Sequence, residues 1–168
     1  MHKLEKMNLR YLPKNLTRKD RKKQLKMILQ SRRLYRNKKY FTRKPVKSFH
    51  SKTSKHIKNA MKIYNLPKIG ATKELSAASG CSIQALNKIL NKGEGAYYSS
   101  GSRPNQTPQS WGIARLASSL TSGKAAAVDY DILENGCKKN SKALKLAKKA
   151  KKIFGYGTRR APKTTVSL

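Results

Sequence analysis

Three histidines, two cysteines and seven carboxylates are what this 168-residue chain offers for acid–base or metal chemistry. The carboxylates are Glu5, Asp20, Glu74, Glu94, Asp129, Asp131 and Glu134. Asp131 and Glu134 share a helical face but have no evident cation or metal partner. Asp129 and Asp131, two apart, point in different directions on a helix. His2, His50 and His56 all lie in a basic N-terminal stretch. Cys81 and Cys137 have neither metal-ligand spacing nor the pattern of a disulfide framework, so they read as reduced, packed thiols in an intracellular setting. No His/Cys/carboxylate cluster has metal spacing. The reading is a protein that is not an enzyme, with no catalytic residue, no metal and no cofactor.

Binding chemistry is better supplied. The densest polar motif runs from Tyr97 to Thr107, Tyr-Tyr-Ser-Ser-Gly-Ser-Arg-Pro-Asn-Gln-Thr. It falls in a long connection, Gly93 to Gln109, and loops of that length inside a compact domain are usually functional. No Gly-Lys-Ser/Thr follows, so it is not a nucleotide-binding P-loop. Tyr, Trp and Arg anchor protein interfaces, which makes Tyr97, Tyr98, Arg103, Asn105, Gln106 and Trp111 a candidate protein-contact loop. A second candidate lies around Gly80. Leu75, Ser76, Gly80, Ser82, Leu86 and Ile89 have the spacing of two helices joined by a tight turn. The second helix would show Gln84, Asn87, Lys88 and Asn91, residue types able to touch bases or phosphates in a groove.

Charge outweighs both. Forty Lys/Arg against seven acids give a formal net charge of +33. Residues 1–66 hold 22 of the cations and two acids; residues 137–168 hold 11 and none. The segment between, 67–136, has seven cations and five acids and is nearly neutral. A chain so charged repels itself until a polyanion or an acidic surface neutralises it. The candidate polyanion-binding residues are Arg18, Arg21, Lys22, Lys23, Lys26, Arg32, Arg33 and Arg36, then Lys145, Lys148, Lys149, Lys152, Arg159 and Arg160.

The elements that carry these residues read as helices. Thr17 caps a helix running to Asn37 with an acid at Asp20. Tyr40 to Pro45 is extended, because a residue before proline avoids the helical region. Ser54 opens a helix that stops at Asn65. A short helix follows Thr72 and closes at Gly80, and another runs from Ser82 to Gly93. Thr107-Pro108 starts a helix through Leu120. Lys124 to Glu134 forms one more, and Ser141 caps a basic helix through Phe154. The residues from Gly155 onward read as an extended tail, and no strand pair is evident. The expected fold is all-α: a small helical body, 67–136, between extended, strongly basic N- and C-terminal arms at 1–66 and 137–168. No run approaches the roughly 18 apolar residues of a membrane span.

Two stretches resemble a known family. One is Thr-Arg-Lys-Asp-Arg-Lys-Lys-Gln at 17–24, continuing through Ser31 to Tyr35, Tyr40 to Lys44 and Ser54 to Ile57. The other is Gly-Ala-Tyr-Tyr-Ser-Ser-Gly-Ser-Arg-Pro-Asn-Gln-Thr at 95–107, with Ser110-Trp111-Gly112 and Val128-Asp129-Tyr130. Together they resemble an uncharacterised domain family of large and giant DNA viruses of eukaryotes, over roughly residues 10–150. That resemblance implies a viral origin and a place in the virion, assembled in the host cytoplasm or virus factory. It transfers no functional residue. The expected function is a virion structural protein, a minor capsid or cement component contacting capsid proteins of the same virion. The alternative is a nucleoid or packaging protein binding viral DNA without sequence preference.

Overall fold

The computed structural model describes residues 4–155 and 162–167. Among these the chain is mostly helical, with eight α-helices, one short 3-10 turn and a two-stranded sheet. The order is β1 (Glu5–Asn8), the 3-10 turn (Leu9–Tyr11), α1 (Arg18–Arg36), α2 (Lys55–Tyr64), α3 (Lys73–Ser79) and α4 (Ile83–Ser99). α5 (Pro108–Ser119), α6 (Lys124–Val128), α7 (Tyr130–Gly136), α8 (Lys142–Phe154) and β2 (Lys163–Val166) follow. The chain divides into two compact units. Unit 1 comprises 1–52, 95–108 and 160–168; unit 2 comprises 53–94 and 109–159.

In unit 1, the N-terminal segment is folded rather than an extended arm. The Thr17 side chain accepts the Asp20 N–H and opens α1 as expected. One face of α1 buries Gln24, Leu25, Met27, Ile28 and Ser31, and most of the remaining positions are Lys or Arg. Leu16, Met27 and Val46 cluster against Phe41 and Phe49. The sheet is a strand pair that the sequence did not reveal: β1 runs antiparallel to β2, Glu5 opposite Val166 and Asn8 opposite Lys163. The two strands are distant in sequence, so no turn signal announces their pairing.

Unit 2 has its core from α2, α3, α4, α5, α6, α7 and α8. Leu75, Leu86, Ile89, Leu116, Leu120 and Leu133 are fully buried there. Thr72 and Ser141 cap α3 and α8 through Leu75 N–H and Leu144 N–H, both at 3.2 Å. Asn65 and Gly80 close α2 and α3 in the left-handed conformation. The basic helix α8 is not an arm either. It buries Ala143, Leu144, Ala147 and Ala150.

Three expectations are corrected in these elements. Gly93 does not end α4; a Cβ there would lie 2.6 Å from the Gly112 Cα, so glycine permits close approach of α4 and α5. The expected helix from Lys124 to Glu134 is two helices, broken at Asp129. Cys81 and Cys137 are not free thiols but a disulfide with S–S 2.01 Å. They face each other across an antiparallel bridge. Ser82 N–H donates to Gly136 O at 2.8 Å, and Lys138 N–H to Gly80 O at 2.9 Å. Their separation of 56 positions hid the pair from any argument on spacing.

Candidate polyanion interface

The Tyr97–Thr107 motif acts inside unit 1, as a clamp on residues 43–51. Tyr97 is fully buried. Its hydroxyl accepts the Arg43 N–H at 2.8 Å. The Arg43 guanidinium donates to Tyr97 O at 2.8 Å, to Ser31 Oγ at 3.1 Å and to Ser102 Oγ at 2.7 Å. It also lies 3.7 Å from the centroid of the Tyr97 ring. Arg43 is thus a buried cation solvated by neutral oxygens and a ring face, with no carboxylate partner among these bonds. Burial pushes its pKa down to about 10, opposed by the neighbouring tyrosines, so it stays charged at neutral pH.

Asn105 completes the clamp. Its Oδ1 accepts the Val46 N–H at 2.7 Å, and its Nδ2 donates to Val46 O and Phe49 O. Its backbone is left-handed at φ 62°, a conformation asparagine tolerates. Gly101, at φ 135°, passes so close to the Tyr11 ring that a Cβ would lie 2.9 Å from it. Of the contact loop, Tyr97 and Asn105 are therefore engaged internally; Arg103 is exposed, and Tyr98, Gln106 and Trp111 are half-buried. Trp111 lies on α5, and α4 extends through Tyr97 and Tyr98, so these six residues do not form one loop.

The cations sort into two kinds. Arg32 is a staple: it donates to Ser100 O at 2.8 Å and pairs with Glu5 at 3.0 Å. Arg21 is turned in to Leu12 O at 2.7 Å. Neither is available as the sequence pattern implied, and Arg43, the most enclosed cation, carries no signal in that pattern. Arg18, Lys22, Lys23, Lys26, Arg33 and Arg36 are exposed on α1, with Lys23 also reaching Pro45 O at 3.2 Å. Lys19, Lys22, Lys26, Arg33 and Arg36 follow one another at helical spacing, a stripe about 26 Å long at 1.5 Å per residue. On α8, Lys145, Lys148, Lys149 and Lys152 are exposed opposite the buried alanines. Arg159 and Arg160 lie outside the described residues.

The carboxylates decide the electrostatics. By sequence, unit 1 holds 22 Lys/Arg and two acids, a formal net charge of +20. Both acids are occupied. Glu5 pairs with Arg32, and Asp20 Oδ2 accepts from Ser48 N–H at 2.8 Å and Ser48 Oγ at 2.7 Å. Those two bonds hold the Asp20 carboxyl below its ordinary value, with help from Lys23 and Lys19. In unit 2, Asp129 is fully buried and takes a two-pronged pair from Arg115, at 2.9 and 2.7 Å, with Ser119 Oγ at 3.1 Å and Lys92 at 3.3 Å. This inward pull accompanies the break between α6 and α7.

The two-helix feature is built as its spacing suggested. Gly80 turns at φ 77° between α3 and α4, and Gln84, Asn87, Lys88 and Asn91 are all on α4 and all exposed. The disulfide fixes the turn to residues 136–138. Among the described residues no group of His, Cys, Asp and Glu is arranged to hold a metal ion. No helix among them is long and apolar enough to cross a membrane.

A family of unknown function (DUF5824) matches residues 9–154, and the chain belongs to it. No curated protein and no solved structure matches the chain.

Proposed function

We propose that this member of a family of unknown function is a non-enzymatic nucleic-acid-binding protein that neutralises phosphates from the faces of folded helices. The observation that carries this reading is in unit 1, where both carboxylates are occupied by internal bonds while a stripe of cations lies open along α1. Cations without local counter-charge attract a polyanion and release its condensed counterions on binding. The α8 lysines supply a second such face. The setting that fits is the genome compartment of a virus particle, in keeping with the resemblance to proteins of large eukaryotic DNA viruses. The Cys81–Cys137 bond speaks against a lasting place in the reducing cytosol, where disulfides are rare. A minor capsid role draws on the same bond, but two of its expected contact residues, Tyr97 and Asn105, are spent inside unit 1.

Binding of a DNA duplex measured across a salt series tests the proposal. With about 6–10 phosphates engaged, affinity should fall about 10³–10⁵-fold between 50 and 200 mM salt. Changing Lys19, Lys22, Lys26 and Arg33 to Gln should weaken binding and flatten the salt slope by about one for each phosphate that is no longer neutralised. Absence of binding at low salt, or an unchanged slope in that variant, would overturn the proposal.

A further inference from the structure

One aromatic group in unit 1 is held rigidly but left in water. α1 ends in a turn in which Lys38 N–H donates to Tyr35 O and Lys39 N–H to Leu34 O, both at 3.0 Å. Lys38 is left-handed there, at φ 56°. The turn reverses the chain and brings Tyr40 back against Tyr35, with ring centroids 6.0 Å apart. Tyr98, near the end of α4, joins them. The Tyr35 and Tyr98 rings are parallel within 9° at 5.9 Å, and Tyr40 stands across both, 64° from Tyr35 and 65° from Tyr98. Tyr40 is nevertheless 70% exposed. Arg33, Arg36, Lys38, Lys39 and Lys44 are all exposed in the adjoining chain.

We propose that Tyr40, backed by Tyr35 and Tyr98, is a stacking platform for an unpaired nucleobase, so that the strand bound here is single-stranded. The inference rests on the phosphate-binding reading and narrows it. Charge alone would need no aromatic ring, and an exposed ring beside cations is the combination by which proteins grip single strands. A duplex hides its base faces in the stack, so the platform adds nothing to duplex binding. Contact with two other rings orients Tyr40 in advance, which lowers the entropy lost on stacking. The π-face is common to DNA and RNA, and the two single-stranded probes distinguish them.

The test is fluorescence anisotropy on the full chain. The probes are labelled oligo-dT and oligo-U of about 20 nucleotides, longer than the 4–16 that one binding fold covers, and a duplex of equal length. Tyr40→Ala should weaken single-strand binding about 10-fold or more, and Tyr40→Trp should restore it. Duplex affinity should stay within about two-fold in both variants, because phosphate contacts are unchanged. Weakening confined to oligo-dT or to oligo-U would support the platform and identify the strand. Unchanged single-strand affinity in Tyr40→Ala, or equal weakening on duplex, would overturn the platform and leave the phosphate reading standing. Failure of the unsubstituted chain to bind any of the three would overturn both.

Discussion

Arg43 and Tyr97 bind each other three times: the Tyr97 hydroxyl accepts the Arg43 N–H, the guanidinium donates to Tyr97 O, and its centre lies 3.7 Å from the centroid of the Tyr97 ring. The two residues are 54 positions apart. Their pairing ties the extended segment after α1 to the end of α4, and so holds the segment that carries Tyr40.

Tyr97→Phe keeps the ring and removes one acceptor. The Arg43 N–H is then buried without a partner, which costs about 1–3 kcal/mol. Urea unfolding should show that destabilisation, with duplex affinity unchanged because neither residue is on the cationic face. An unaltered unfolding midpoint would show that the hydroxyl contributes nothing.

The Cys81–Cys137 bond closes a 56-residue loop. Constraining that loop in the unfolded chain is worth about 2–4 kcal/mol. Adding a reductant, or changing both cysteines to serine, should lower the melting temperature and leave most helical circular dichroism at low temperature. The Gly80–Lys138 and Gly136–Ser82 bonds and the apolar core remain. Equal melting temperatures with and without reductant would contradict this.

Asp20 links stability to acid. Its folded value is lowered from 3.8, chiefly by the Ser48 side-chain bond and then by the Ser48 N–H. Because the folded value lies below the unfolded one, this carboxylate contributes stability above pH 3.8, and the contribution is lost as pH falls through the lower, folded value. NMR titration should place the Asp20 midpoint below 3.8, and Ser48→Ala should move it upward. A midpoint that ignores Ser48 would rule this link out.

What the sequence determined by itself is local. The caps at Thr17, Thr72 and Ser141 each bond an N–H three residues on, and Asn65 and Gly80 end their helices through their own backbone angles. These signals act within one turn of helix, so the residues beside them suffice. The mostly helical content and the excess of cations followed from the same kind of reading.

Only tertiary structure decided the rest, because the deciding partners lie far along the chain. Gly93 carries a helix-ending residue type, yet Gly112 packs against it and α4 continues. Ser-Arg-Pro-Asn reads as an open polar loop until Arg43 and Val46 take up Ser102 and Asn105. Cys81 finds Cys137, and β1 finds β2, across separations at which no spacing rule operates. Arg32 and Lys22 are alike in the sequence. Glu5, Met7 and Ser100 draw one of them inward, while Lys22 remains exposed at the surface where a phosphate can reach it.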